Sequence, residues 1–149
     1  MTRTFLPTLA ILPAVAIAAP ALKDKPSVQP LVGVWERTGH MQDGMPLAPD
    51  NQVHRQTFTA EGEWSYSYGG KANGRPTKFT TDRKRNPPTF DIYCQETLPA
   101  DYRGIYKIEG DTLTLYFVMA GDKERPKTFE SSVEKPCYVW IFKRVKVND

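Results

Sequence analysis

The stretch Leu31–Pro46 reads LVGVWERTGHMQDGMP, and its pattern is typical of the start of a closed β-sheet. Gly33 and Trp35 stand two residues apart, so they lie on the same face of an extended strand. The pair Asp43–Gly44 tolerates the positive φ angles that a tight hairpin turn requires. We therefore predict that Gly33 and Trp35 close one end of a small antiparallel barrel.

The rest of the chain repeats this alternation of apolar and polar residues and lacks a helical period. Turn residues such as Gly69–Gly70 and Asn73–Gly74 separate the alternating segments. Eight short strands joined mainly by tight turns protect their edges best by closing into an up-and-down barrel, and a two-sheet β-sandwich is the alternative. The predicted strands are Leu31–His40, Gln52–Thr59, Glu63–Tyr68, Pro76–Thr81, Thr89–Gln95, Arg103–Glu109, Thr112–Met119 and Cys137–Val145.

The N-terminus has the pattern of a secretory signal peptide, with Arg3 before an apolar run and small residues after it. Prolines divide the run, so it is too interrupted for a good membrane span. Cleavage fits after Ala18 or after Ala21, and we favour Ala21. The predicted organisation is a signal peptide over residues 1–21, a flexible leader over 22–30 and one barrel domain over 31–147, in a secreted or periplasmic protein.

The charge balance is too small to predict a nucleic acid or an anionic membrane as a partner. The chain has 20 basic and 17 acidic residues, for a formal charge of +3. Loss of Arg3 with the signal peptide leaves 19 − 17 = +2. A charge of this size does not mark a surface for polyanions.

The sequence contains no catalytic or metal-binding motif. It has two histidines, His40 and His54, and neither HExxH, GxSxG nor a phosphate-binding glycine loop occurs. The carboxylates Asp82, Asp91 and Glu96 are spread over separate turns and strands. We therefore predict a protein that is not an enzyme and that has no metal or cofactor.

Cys94 and Cys137 are the two cysteines of the chain. In an exported protein such a pair favours a disulfide, with two buried free thiols as the alternative. Alternation along Phe90–Cys94 and along Cys137–Ile141 predicts that both thiols face inward. We predict a Cys94–Cys137 disulfide.

Aromatic side chains supply the candidate ligand site. An eight-stranded barrel is wide enough to be packed solid or to hold one small ligand. His54 and Phe58 share one face of their predicted strand. This face turns either inward, where His54 is a polar contact for a ligand, or outward to solvent. The residues predicted to contact a ligand are Trp35, His54, Trp64, Tyr66, Tyr68, Phe90, Tyr106 and Phe117.

Several motifs occur in a fixed order along the chain. They are LVGVW at Leu31–Trp35, the turn at Asp43–Pro46, the hairpin at Phe58–Gly62, GIYKIEGDTLTLYF at Gly104–Phe117 and ERPKTF at Glu124–Phe129. In this order they resemble the uncharacterised lipocalin-like, calycin-type domain family that is abundant in planctomycete secreted proteins. The resemblance implies a lipocalin-like barrel and carries over no catalytic or ligand-binding residues.

Together these features predict an exported lipocalin-like barrel that binds a small, partly apolar molecule without catalysis. The alternative is a protein-interaction or inhibitor module with a filled core. That module would work through the barrel turns, especially Gly69–Asn73 and Ala120–Lys127.

Overall fold

The computed structural model describes residues 30–48, 51–94, 100–119, 121 and 124–146. The predicted signal peptide, and the predicted leader apart from Pro30, lie outside the described residues. No helix within the described ranges is long and apolar enough to cross a membrane. The strands are β1 (Gly33–Gln42), β2 (Met45–Pro46), β3 (His54–Phe58), β4 (Glu63–Tyr68), β5 (Lys71–Asp82), β6 (Thr89–Tyr93), β7 (Tyr102–Glu109), β8 (Thr112–Met119) and β9 (Tyr138–Arg144).

The strands form one antiparallel sheet in the order β2-β1-β3-β4-β5-β6-β7-β8-β9, and β1 also pairs with β9. That additional pairing, from Trp35 opposite Arg144 to Gln42 opposite Tyr138, closes the sheet. The short β2 lies outside the closed ring and pairs only with the end of β1. The prediction of an all-β, eight-stranded antiparallel barrel is confirmed, and closure excludes the sandwich alternative.

The hairpin between β1 and β2 has the predicted turn chemistry. Gln42 pairs with Met45, so Asp43 and Gly44 form a two-residue loop. Their φ angles are 53° and 82°. Positive φ at both central positions matches the right-handed twist of the flanking strands, which explains why aspartate and glycine stand here.

Trp35 closes the barrel at its base, the end where β1 begins and β9 ends. Its indole is 0% exposed and donates from Nε1 to the carbonyl of Leu31 at 2.8 Å. The Arg144 guanidinium covers the ring, with Cζ 4.0 Å from the ring centroid. Arg144 also donates to the carbonyls of Val32 at 2.8 Å and Pro30 at 3.1 Å. The base is therefore sealed by stacking and by hydrogen bonds to backbone.

Two glycines stand where no side chain fits. Gly33 has a φ of +134°, and a β-carbon there would lie 2.7 Å from Nη1 of Arg144. The spacing of Gly33 and Trp35 thus lets the arginine reach across the indole. A β-carbon at Gly104 would lie 2.4 Å from the carbonyl oxygen of Tyr116 and 2.5 Å from the Phe90 ring, so that ring packs directly on backbone.

The interior of the barrel is packed with aromatic and aliphatic side chains above the base. Phe58 and Phe79 meet edge to face with centroids 5.0 Å apart, an arrangement that adds to the burial energy of both rings. The buried interior cluster consists of Leu31, Trp35, Phe58, Phe79, Phe90, Ile92, Tyr106, Leu113, Leu115, Phe117 and Phe142.

A second apolar layer lies on the outer face of β8 and β9, beneath residues 124–136, which we call the outer segment. The buried members of this apolar layer are Val118, Cys137 and Val139. The outer segment is attached through Arg125, whose guanidinium donates to the carbonyls of Phe90 and Gly104, each at 2.8 Å. The same guanidinium bonds both oxygens of Asp91, at 2.7 and 3.0 Å.

The two cysteines are free thiols, so the predicted disulfide is absent. Cys94 faces a cavity inside the barrel, whereas Cys137 lies beneath the outer segment on the outer face. The prediction that both face inward was wrong for the last strand, where Tyr138, Trp140 and Phe142 belong to the interior. The outer segment makes the opposite face of β9 apolar as well, so alternation of hydrophobicity could not distinguish the faces.

Candidate functional site

A cavity of about 440 Å³, which we call the barrel cavity, extends into the upper part of the barrel. Its aromatic side chains come from β4, β7 and β9, and these strands lie on different sides of the closed sheet. These rings face inward but are only partly buried, because the cavity communicates with solvent. The lining residues are Trp64, Tyr66, Asn73, Gly74, Arg75, Thr77, Cys94, Tyr102 and Trp140.

The aromatic rings of the cavity form one continuous surface. Trp64 and Tyr66 have nearly parallel ring planes, 11° apart, with centroids separated by 6.4 Å. Tyr102 lies 6.3 Å from Trp64 and 6.4 Å from Trp140, measured between centroids, and so links the two sides. Phe117 supports Trp140 from below at 4.6 Å. Such walls suit an apolar, ring-bearing molecule, since aromatic faces stack with little loss of conformational entropy.

Polar groups are placed within this apolar surface. Trp64 donates from Nε1 to Oε1 of Gln56 at 3.2 Å, and Gln56 is 1% exposed. Thr77 lines the cavity, and its buried hydroxyl has no hydrogen-bond partner among the described residues. Polar groups that are few and fixed give orientation to a ligand held mainly by apolar contacts.

A β-bulge places Arg75 at the cavity. Trp64 pairs with Thr77 and Tyr66 with Asn73, so the three intervening residues of β5 oppose a single residue of β4. Gly74 takes a φ of +79°, which a residue with a side chain rarely adopts. Bulges of this kind redirect side chains, and here the result is that Arg75 lines the cavity.

Two ionisable groups of the cavity wall are held in their neutral forms at neutral pH. Burial raises the pKa of the Cys94 thiol, and the negative charge of Asp101 raises it further. Burial also raises the pKa of Tyr102, with Cys94 and Asp101 contributing. Asp101 itself accepts a hydrogen bond from the Cys94 backbone amide at 2.6 Å. The thiol is therefore a poor nucleophile, because the thiolate is the reactive form.

His54 lies beside the aromatic wall. It is 6% exposed, its Nδ1 is 2.5 Å from the Tyr66 hydroxyl, and its ring meets Tyr68 edge to face at 4.7 Å. Of the two orientations predicted for this strand, the structure has the inward one, because His54, Gln56 and Phe58 are all buried. His54 also lines a second cavity of about 330 Å³, together with residues of β1 and the β1–β2 hairpin.

A third cavity, of about 450 Å³, lies outside the barrel between Val118 and the outer segment. Its size is similar to that of the barrel cavity, but most of its charged side chains, including all of its cations, already have ionic partners. Lys127 pairs with Glu124 at 3.0 Å, and Lys135 pairs with Glu130. We favour the barrel cavity as the functional site because it combines aromatic walls with a cation that has no such partner.

The structure brings together only part of the predicted ligand site. Trp64 and Tyr66 line the barrel cavity, and His54 and Tyr68 stand next to them. Phe117 lies one layer below, in contact with Tyr102 and Trp140. The remaining three predicted residues are buried in the packed interior and line none of the three cavities described above; they are Trp35, Phe90 and Tyr106.

Sequence reasoning did not assign Asn73, Arg75, Thr77 and Tyr102 to the site. Tyr102 carries a readable signal, because the alternation Tyr102, Gly104, Tyr106 continues the inward face of β7 by one more residue. The β5 residues carry a weaker one. Glycine and proline on either side of Arg75 are signs of a bulge, but they do not show which face Arg75 takes.

Within the described residues, no group of three or more histidine, cysteine, aspartate or glutamate side chains could hold a metal ion. Comparisons with protein-family models, with curated proteins and with solved structures gave no match for this chain.

Proposed function

We propose that this protein is an exported carrier or receptor that binds a small, partly apolar molecule in the barrel cavity without transforming it. The observation that supports this most directly is the cavity of about 440 Å³ whose aromatic walls come from different sides of the barrel. Cavities of a few hundred Å³ with apolar walls and a few polar groups are typical ligand sites. Export is proposed from the N-terminal sequence pattern alone.

The contrast between the two ends of the barrel supports the same proposal. Arg144 and Trp35 seal the base, where the indole is fully buried. Large aromatic residues also line the upper part, yet Trp64 and Trp140 remain partly exposed around the cavity. A module that worked only through its turns would gain stability by filling this space, since empty apolar space forfeits packing contacts. The cavity therefore favours ligand binding over the alternative of an interaction module with a filled core.

The test is a titration with N-phenyl-1-naphthylamine, a neutral aromatic probe that fluoresces when it leaves water. The full chain is expressed in an exporting host, and the secreted product is purified. We expect saturable binding that Trp64→Ala weakens at least about tenfold, because that substitution removes one wall of the cavity.

Tyr93→Ala is the matched control, since Tyr93 is a partly buried aromatic on β6 that lines none of the three cavities. Its affinity for the probe should equal that of the unaltered chain. Absence of binding, or equal affinity in the Trp64 variant at unchanged stability, would overturn the proposal.

A further inference from the structure

We infer that the ligand of the barrel cavity is an anion, specifically a planar aromatic acid whose ring stacks in the cavity and whose acidic group pairs with Arg75. This inference rests on the proposed function, because it names the chemical class of the molecule bound there. It is carried by one cation, without a partner among the described residues, that lines the same cavity as the aromatic surface.

The described lining of the cavity carries a net positive charge. Arg75 is the only residue of the described cavity lining that carries a formal charge at neutral pH. Cys94 and Tyr102 are neutral there, for the reasons given above. The described lining contains no carboxylate, and Asp101, which accepts a hydrogen bond from the Cys94 backbone amide, does not line the cavity. The cavity therefore presents positive charge to a ligand.

Arg75 differs from most other arginines in having no partner among the described residues. Most other arginines of the described residues are occupied, as Arg125 of the outer segment is with Asp91 and Arg55 of β3 is with Glu36. Arg75 has no ion pair, hydrogen bond or ring contact with any other residue that the structure describes. A guanidinium presents donors in a planar fork that fits a carboxylate or another oxyanion with two hydrogen bonds.

A β-bulge in β5 brings Arg75 to the cavity. In a regular strand the residue between Gly74 and Pro76 would continue the pairing with β4, but the bulge removes it from the ladder. A bulge costs ladder hydrogen bonds, so its position next to a cavity is informative. Here the bulged residue Arg75 lines the cavity and is itself exposed to solvent.

The aromatic surface of the barrel cavity has a shape that suits a flat ring. The near-parallel faces of Trp64 and Tyr66, with Tyr102 opposite, form a surface for a flat ring rather than for a flexible chain. The hydroxyl of Thr77 and the amide of Asn73 lie on the same strand as Arg75. A rigid acid would therefore place its ring inward and its oxyanion toward β5.

The experiment compares two probes with one ring system. 8-Anilinonaphthalene-1-sulfonate carries a sulfonate, and N-phenyl-1-naphthylamine is its neutral counterpart. We expect Arg75→Ala to weaken binding of the anionic probe at least about fivefold and to leave the neutral probe unchanged, because only the former uses the cation. Higher salt should weaken the anionic probe alone, since the guanidinium is exposed.

Lys78→Ala is the matched control, because Lys78 lies on the same strand but does not line the cavity. It removes one positive charge and should alter neither affinity. Arg75→Lys should restore part of the lost affinity, and Arg75→Glu should exclude the anionic probe. Either variant also replaces Arg75→Ala if that protein does not fold.

The outcomes separate the two proposals. Equal loss of both probes in Arg75→Ala, or no loss of either, would overturn the assignment of an anion while ligand binding stands. Failure of both probes to bind the unaltered chain would overturn ligand binding and the assignment together. Displacement of the anionic probe by 2-naphthoate but not by laurate supports a planar acid, and equal displacement by laurate would overturn that part.

Discussion

Arg144 shows how one residue determines the closure of the base. Its guanidinium lies over the Trp35 ring and donates to the backbone carbonyls of Pro30 and Val32. Both residues directly precede the first strand, so the arginine fixes the entry of the chain into the barrel. Stacking on the indole and charge-assisted hydrogen bonds act together here, and both are partly shielded from water.

We predict that Arg144→Ala lowers the free energy of unfolding by about 2 kcal/mol, since it removes the cation–π contact and the bonds to both carbonyls. Urea unfolding monitored by tryptophan fluorescence measures the change. Lys143→Ala is the control, because Lys143 is exposed and bonds only the Thr112 hydroxyl among the described residues. Equal stability of the two variants would show that Arg144 does not hold the base together.

The outer segment is attached to the barrel by Arg125 near its start and by Ser131, whose Oγ accepts a hydrogen bond from the Gly44 amide at 2.9 Å. The segment has no regular secondary structure, yet Phe129 packs on Tyr116 and Cys137 is 4% exposed beneath it. Four hydrogen bonds from Arg125 to β6 and β7 attach its start. Local opening of such a segment exposes what it covers without unfolding the barrel.

We predict that Arg125→Ala speeds the reaction of Cys137 with a thiol reagent at least about tenfold, because loss of the attachment raises the population of the open segment. The measurement uses 5,5′-dithiobis(2-nitrobenzoate) in a Cys94→Ser background, so that only Cys137 reacts. Lys127→Ala removes an exposed ion pair of the same segment and should leave the rate nearly unchanged. A rate unaffected by the loss of Arg125 would contradict the prediction.

The strands themselves were largely predictable, because alternation and turn chemistry are local properties. Asp43–Gly44 indicates its hairpin from two residues, and the Gly33 and Trp35 pair indicates the base. The inward face of β9 was not predictable, since the outer segment makes both faces apolar. The role of Arg75 depends on a bulge whose direction is set by pairing with β4, and no local pattern contains that information.

The barrel has a sealed base and a partly open cavity above it, and the two regions differ in chemistry. The base holds its one arginine on an indole and on backbone. The lining of the cavity includes the neutral Tyr102 phenol, the neutral Cys94 thiol and the Arg75 cation. Burial of these neutral groups has a consequence for stability at high pH.

We predict that the free energy of unfolding is constant from pH 7 to about 8 and falls as the pH rises further. Burial raises the folded-state pKa of Cys94, Tyr102, Tyr106 and Cys137 above the values of the unfolded chain. Thiols and phenols of the unfolded chain ionise near pH 8.5 to 10, roughly, while the folded chain keeps its protons. The unfolded state then binds fewer protons, so stability declines with pH. Urea unfolding between pH 7 and 10.5 measures the decline. The double variant Cys94→Ser with Tyr102→Phe should make the decline shallower. Stability that rises over this interval would contradict the protonation states assigned to the cavity.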